Sequence, residues 1–273
     1  MKAVVKYPGS KWSLADWIIS YFPKHHSYLE PFFGSGAVFF NKPRSNIETI
    51  NDLDNNVVNL FNCIREDPKK LAGMIHMTPY AREVYERAYK EEIPEDRFEA
   101  ALNFYIKLNM GYGFRTNGQK VGWKNDIQGR ERSYASQDWC ELPDRVIWAA
   151  ERLRGVQIEN RSAIEVIKRF NYENVLIYCD PPYMLKTRHG KQYRCEMNDH
   201  DHEALLKALL QHKGQVLISG YDTELYEDML GKWVKMEAIS ISQVGSKKKE
   251  VLWMNFKPDN VQITLRDMQE IQL

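Results

Sequence analysis

Asp180-Pro181-Pro182-Tyr183 directly follows an apolar run, Val175-Leu176-Ile177-Tyr178-Cys179. A run of that length and β-branched content reads as a buried parallel strand ending in a sharp loop. Ligands in open α/β sheets bind just outside the carboxyl ends of such strands. The two prolines donate no backbone N–H and stiffen the chain, so the Asp180 carboxylate and the Pro181 carbonyl are both expected to face outward as acceptors. Tyr183 adds a flat aromatic face. Acceptors beside an aromatic plate form a receptor for a planar ring carrying an exocyclic amino group. An adenine or cytosine drawn out of its stack is such a ring. The plainer alternative is a Pro-rich turn in which Asp180 is an ordinary turn residue.

A second cluster favours the receptor. Ser27-Tyr28-Leu29-Glu30-Pro31-Phe32-Phe33-Gly34-Ser35-Gly36 reads as a short strand entering a glycine-rich turn, followed by the helix-like Ala37-Val38-Phe39-Phe40. Glycines there let backbone approach a ligand closely. The next apolar strand, Ile47-Glu48-Thr49-Ile50, ends at Asn51-Asp52, and an acid about twenty residues past the turn is where a ribose hydroxyl pair is usually bound. The third glycine of the dinucleotide fingerprint is missing, which disfavours a nicotinamide cofactor. Pro8-Gly9-Ser10-Lys11 lacks the P-loop spacing, which disfavours an NTPase.

The opening Lys6-Tyr7-Pro8-Gly9-Ser10-Lys11, the Glu30-to-Gly36 turn, Asp52 and Asp180-Pro181-Pro182-Tyr183 together resemble the DNA adenine methylase (Dam-type) family, in the same order along the chain. The resemblance spans most of the chain, and the stretch from Thr187 to Tyr221 looks like phage or prophage members. It implies a class I S-adenosylmethionine (AdoMet, S-adenosyl-L-methionine) methyltransferase acting on the N6 amino group of adenine in double-stranded DNA. By that resemblance Tyr7, Lys11, Glu30, Pro31, Phe32, Phe33, Gly34, Gly36, Asp52 and Asp180 form the cofactor site. Asp180, Pro181, Pro182 and Tyr183 hold the target base, and Lys6 faces DNA. The family also brings in a cognate restriction enzyme as a partner to test. Two positions depart from the pattern. Ser10 replaces a usual glycine, and Ser162 stands where many class I enzymes carry an acid near the adenine of the cofactor.

The elements that must position these residues alternate between strand and helix. Helical spacing runs over Lys11–Tyr21 and Asp54–Arg65, then over Pro68–Met77, Tyr80–Tyr89, Arg97–Met110 and Pro143–Arg152. Alternation resumes with Val156–Glu159, Ala163–Phe170, Val175–Cys179, Asp201–Gln211, Gln215–Ser219 and Thr223–Leu230. Trp233–Ser242 and Val251–Phe256 are long enough for a closing antiparallel hairpin. The pattern predicts an α/β fold, a Rossmann-like doubly wound sheet. Residues 1–66 and 155–273 would form the catalytic domain, and residues 67–154 an inserted, mainly helical target-recognition domain. Gly111 to Lys120 reads as a β-hairpin tip turning at Asn117-Gly118. Such a ribbon fits the major groove, where Arg115, Asn117, Gln119 and Lys120 would read base edges; as a rival, the loop only clamps phosphate.

Composition sets the outer bounds. With 43% hydrophobic and 27% charged residues the chain is ordinary for a globular protein. No apolar stretch is long enough for a membrane span, and charge interrupts the first residues too early for a signal peptide. Cys63, Cys140, Cys179 and Cys195 form no C-x-x-C pair and read as free thiols. His200-Asp201-His202 reads as a solvated helix start rather than a metal site. A cytoplasmic protein without metal is expected. Net charge is only +1, but its distribution is uneven. Residues 107–132 carry six bases (Lys107, Arg115, Lys120, Lys124, Arg130, Arg132) against two acids. Residues 184–195 carry Lys186, Arg188, Lys191 and Arg194 with no acid, and Lys247-Lys248-Lys249 adds a third cluster. Interleaved aromatics, Tyr112, Phe114, Trp123 and Tyr193, make these stretches suited to phosphate and base contact.

The chemistry expected is direct methyl transfer without a covalent enzyme intermediate. An aryl amine is a poor nucleophile, because its lone pair is delocalised into the ring. Acceptors at Asp180 and the Pro181 carbonyl would help rehybridise it. Two rivals remain: cytosine N4 methylation, whose enzymes more often begin the motif with serine, and a catalytically silent DNA- or AdoMet-binding module.

Overall fold

The parallel strands predicted from sequence assemble into one seven-stranded sheet, in the order β3-β2-β1-β4-β5-β7-β6. The computed structural model of the protein describes residues 3–90, 92, 94–127, 134–188, 190–241 and 247–258. The strands are β1 (Ser27–Glu30), β2 (Ile47–Asn51), β3 (Gln157–Glu159), β4 (Val175–Cys179), β5 (Gln215–Gly220), β6 (Val234–Ile241) and β7 (Lys247–Met254). The first five run parallel, and β7 enters antiparallel between β5 and β6.

Helices α1 (Ala15–Ser20), α2 (Ala37–Asn41) and α3 (Asn55–Glu66) accompany the first strands. Then come α4 (Pro68–Met77), α5 (Arg82–Lys90), α6 (Arg97–Met110), α7 (Ala135–Cys140) and α8 (Leu142–Arg152). The chain continues with α9 (Ala163–Arg169), α10 (Asp199–Leu210) and α11 (Glu224–Leu230). No helix among the described residues is long and apolar enough to cross a membrane.

Both faces of the sheet are covered, as a parallel sheet requires. Alternate residues of single strands enter different cores. Tyr28, Leu176, Tyr178, Leu217 and Leu252 pack on one face with the helices of residues 68–152. Leu29, Ile177, Cys179, Val216 and Trp253 pack on the other with α9, α10 and α11. A buried ion pair ties the helical block to the sheet: Arg152 of α8 donates twice to Glu48 of β2, at 2.6 and 2.9 Å, and Lys42 completes the cluster at 2.6 Å.

Three expectations need correction. The Lys11–Tyr21 helix is regular only over Ala15–Ser20, because turns occupy the preceding residues. Gly111 to Lys120 does turn at Asn117-Gly118, where Asn117 Oδ1 accepts from Gln119 N at 3.1 Å. Its arms form no ladder, however. The loop is closed at its base by the Gly111–Trp123 bridge, and Thr116 N donates instead to Gln192 O at 2.9 Å. His202 is fully buried rather than solvated, with Nδ1 3.0 Å from the Tyr226 hydroxyl. The short, polar α7 lies between the Arg97–Met110 and Pro143–Arg152 stretches, where no helical spacing is marked.

Candidate active site

The strand order reverses between β1 and β4, which are neighbours although separated by most of the chain. Such a switch point opens a crevice at the carboxyl ends of the strands. Glu30-Pro31-Phe32-Phe33 leaves β1 there and Asp180 leaves β4 there, so the two sequence motifs meet on one edge. Between them lies a cleft, open to solvent, lined by Tyr7, Gly9, Lys11, Glu30, Phe32, Phe33, Gly34, Asp52, Asp180, Pro182 and Tyr193, among others.

Lys11 is the cation in the cleft lining. Its Nζ lies 3.0 Å from Asp180 Oδ1 as an ion pair, donates to Gly9 O at 2.8 Å, and stands 4.6 Å from the centroid of the Tyr183 ring. Asp180 Oδ1 is buried and has no aligned hydrogen bond. The ammonium is close to it but off the line of one. Burial raises the Asp180 pKa, and Lys11 works against that rise. Burial alone would lower the Lys11 pKa, but Asp180 and Glu250 overcome it and the net shift is upward. Tyr183 donates to Glu250 Oε2 at 2.6 Å and meets the Tyr221 ring edge-on at 4.5 Å between centroids.

The glycine turn forms the opposite wall. Gly34 has φ +48° and donates its N–H to Asp52 Oδ2 at 2.8 Å; a Cβ at Gly34 would come within 3.0 Å of the Tyr7 ring. Asp52 Oδ1 accepts from Asp54 N at 2.8 Å, and burial pushes its pKa up to about 6 against these backbone donors. Phe33 is buried and packs edge-on to Phe61 at 4.7 Å, whereas Phe32 is half-buried. Glu30 is buried and accepts from the Tyr28 hydroxyl at 2.6 Å. Burial pushes its pKa up to about 8, and the nearby Asp180 charge adds to the rise. Pro31 O accepts from Asn51 Nδ2 at 2.9 Å, and the same amide holds Arg161 O at 3.1 Å. Ser162, the second departure, is exposed at the start of α9. Ser10, the first, shares a 2.8 Å hydroxyl contact with Ser35 and so ties the opening loop to the glycine turn.

The cationic residues divide into two kinds. Lys120, Lys186 and Lys191 are exposed, and Arg194 is nearly half-exposed, with Nη1 3.7 Å from Asp54 Oδ1. Arg115 is partly exposed and donates to Gln119 Oε1 at 2.6 Å; Lys124 is partly buried. Lys6 and Arg188, by contrast, are engaged inside the protein. Lys6 pairs with Asp138 of α7, and burial keeps its pKa below the usual lysine range although Asp138 opposes this. Arg188 pairs with Glu196 and donates to Tyr183 O at 2.7 Å. The two basic loops are clasped together, since Asn117 Nδ2 also donates to Lys191 O at 2.8 Å. Arg130 and Arg132 lie outside the described residues, as do the side chains of Lys247 and Lys248; Lys249 pairs with Glu237 at 2.6 Å.

Sequence reasoning left Tyr193 among the loop aromatics and passed over Glu250. Tyr193 in fact lines the cleft, with its hydroxyl 3.2 Å from Pro8 O and its ring centroid 6.0 Å from that of Tyr7. The one signal for Glu250 was an acid set between a lysine triplet and an apolar run.

A doubly wound parallel sheet closed by an antiparallel hairpin, with its cleft at the β1/β4 switch point, is the class I methyltransferase fold. Residues 7–244 match the D12 class N6 adenine-specific DNA methyltransferases, and the chain belongs to that family. It is 27% identical over 269 residues to the DNA adenine methylase of Escherichia coli (strain K12), covering 92% of each chain. It is 29% identical over 277 residues to the DNA adenine methylase of Haemophilus influenzae, covering 90% of each. A DNA adenine methylase of Vibrio cholerae serotype O1 is 25% identical over 278 residues, 94% of this chain and 96% of its own.

Proposed function

We propose that the protein transfers the methyl group of S-adenosylmethionine to the N6 amino group of an adenine rotated out of double-stranded DNA. The observation that carries this reading is the junction of two subsites at one switch point: a glycine-walled cleft on the β1 side, and an acceptor with an aromatic plate on the β4 side. The cleft suits a sulfonium nucleoside. A side chain at Gly34 would fill the space beside Tyr7, and Asp180 Oδ1 is a buried acceptor without an aligned hydrogen bond. Tyr7, Lys11, Glu30, Pro31, Phe32, Phe33, Gly34, Gly36, Asp52 and Asp180 would hold it, with Asp52 as the candidate for ribose hydroxyls. When bound, the cofactor supplies a methyl group already activated on sulfur.

The chain's own residues then act on the base. Asp180 and the Pro181 carbonyl accept hydrogen bonds from the amino group, drawing its lone pair out of the ring and stabilising positive charge as it develops. Pro182 keeps the loop stiff. Stacking on Tyr183 contributes roughly 1–3 kcal/mol, which offsets the few kcal/mol of unstacking. Residues 67–154 form the target-recognition unit in this reading. Arg115, Asn117 and Gln119 face base edges, while Lys120, Lys124, Lys186, Lys191 and Arg194 meet phosphates. Lys6 and Arg188 act from inside, by fixing the loops that carry the contacts. The enzyme works in the cytoplasm, where DNA and reduced thiols coexist.

Incubation with S-adenosylmethionine and unmethylated DNA, followed by nucleoside mass spectrometry, tests the reading. N6-methyladenine that disappears with Asp180→Ala is the expected result. N4-methylcytosine would move the target, and no methylated base would remove the reading.

A further inference from the structure

Glu250 is an acid in an unfavourable place. It lies on β7 between Lys249 and Val251, opposite Ala238 of β6, and is only 8% exposed. Taking a carboxylate out of water is costly unless hydrogen bonds or charges compensate. The strand register explains where it points. Val251 pairs with Gly220, the last residue of β5, so Glu250 sits one step beyond the end of that parallel strand. That is the edge of the sheet at which Asp180 leaves β4. The compensation comes from the site itself: the Tyr183 hydroxyl donates to Oε2 at 2.6 Å, and the Lys11 ammonium feels its charge.

Tyr183 follows two prolines, which stiffen the backbone but leave the ring free to turn about its own side-chain bonds. Three contacts remove that freedom. Glu250 holds the hydroxyl, Tyr221 touches the edge, and Lys11 stands over a face. Glu250 fixes the distal end of the ring, where a small rotation displaces the plate most.

We infer that Glu250 is a positioning residue for methyl transfer: by accepting the Tyr183 hydrogen bond it fixes the plane on which the adenine stacks, and so the approach of the amino nitrogen. The inference rests on the methyl-transfer reading above. Glu250 touches neither base nor cofactor in this scheme; it acts through Tyr183.

The test is kcat for N6-methyladenine formation at saturating S-adenosylmethionine and unmethylated DNA. Glu250→Ala and Tyr183→Phe, which delete the same hydrogen bond from either side, are each expected to lower kcat on the order of 10-fold. The double variant should fall by much less than the product of the two losses, as for residues coupled through a shared contact, with Glu250 also holding the Tyr221 hydroxyl. Glu250→Gln keeps an acceptor and should stay within about threefold of wild type. S-adenosylmethionine affinity by calorimetry should be unchanged in all four, which a merely structural loss would not allow. Wild-type kcat in Glu250→Ala, or losses that multiply in the double variant, overturns the inference. If Glu250→Ala does not fold, Tyr183→Phe decides: wild-type kcat there overturns it equally. A wild-type protein that makes no N6-methyladenine instead overturns the underlying reading, and does so before any Glu250 variant is measured.

Discussion

Lys11 stands on Asp180: its Nζ is 3.0 Å from Oδ1, and the same ammonium lies 4.6 Å from the centre of the Tyr183 ring. In the free protein the acceptor and the plate proposed for the adenine amino group are therefore matched to the protein's own cation. The pair also sets the ionisation of the acid. Burial raises the Asp180 pKa and Lys11 restrains it.

Lys11→Met removes that restraint, so the Asp180 pKa rises further. The ionised carboxylate is the acceptor, so the acid limb of the kcat profile should move to higher pH. Stability should fall by at most about 3 kcal/mol, the low end for breaking a buried pair, because Asp180 keeps 19% exposure. A pH–rate series on wild type and variant checks the first and denaturant unfolding the second; an unmoved acid limb means that Lys11 does not tune Asp180.

Gly9 has φ +68°, and a Cβ there would run into the Tyr193 hydroxyl. Gly9→Ala should cost about 1–2 kcal/mol for the left-handed backbone alone, with a further steric loss against Tyr193. The double variant Gly9→Ala/Tyr193→Phe should recover the steric part and not the backbone part. Urea denaturation of wild type, both single variants and the double variant separates the two, because Tyr193→Phe also removes the contact with Pro8 O; losses that simply add rule out the Tyr193 clash as a cause.

Asp180-Pro181-Pro182-Tyr183 and the Gly34–Gly36 turn are legible in the chain because each is local, a strand end followed by a stiff or a permissive loop. Strand alternation likewise announces a doubly wound sheet, which by itself brings the two loops together at β1 and β4. Contacts between distant residues left no such mark. Tyr193 reaches Pro8 across 185 positions, and Tyr183 reaches Glu250 across 67. Nothing in either neighbourhood announces the other. His202 misleads for the same reason: its polar neighbours at the start of α10 suggest solvent, while Tyr226 on α11 buries it. The stretch from Gly111 to Lys120 reads as a ribbon from its Asn117-Gly118 turn, but its hydrogen bonds are claimed by Gln192 and Lys191 of the second basic loop.

That clasp divides the cationic residues by the measurement that reveals them. Lys186→Ala and Lys191→Ala remove exposed charges and should leave kcat near wild type. Each should weaken DNA binding and reduce the slope of log Kd against log salt by about one. Arg188→Ala leaves Glu196 without its guanidinium partner and frees Tyr183 O. It should lower kcat as well as affinity, because the loop beside Tyr183 loses its anchor. Anisotropy titrations over a salt series, run beside kinetics, decide this; an Arg188→Ala protein that changes only the salt slope makes Arg188 an ordinary phosphate contact.

Glu30 provides a pH test of the pocket floor. Burial, with the Asp180 charge adding, lifts its pKa from 4.5 to about 8. The folded protein therefore holds a proton that the unfolded chain has released over that window. By linkage, the contribution is complete below the unfolded value and is lost as pH rises through the folded one, at up to about 1.4 kcal/mol per pH unit. Asp52, whose pKa is raised to about 6, acts with the same sign in its own lower window. Glu30→Gln keeps an acceptor for the Tyr28 hydroxyl but has no proton to lose, so its stability should fall less between pH 5 and pH 8.5 than that of wild type. Asp52 is common to both proteins and cancels in the comparison. Denaturant unfolding at the two pH values measures the difference, and parallel losses in wild type and variant would show that Glu30 is already ionised in the folded protein at pH 5.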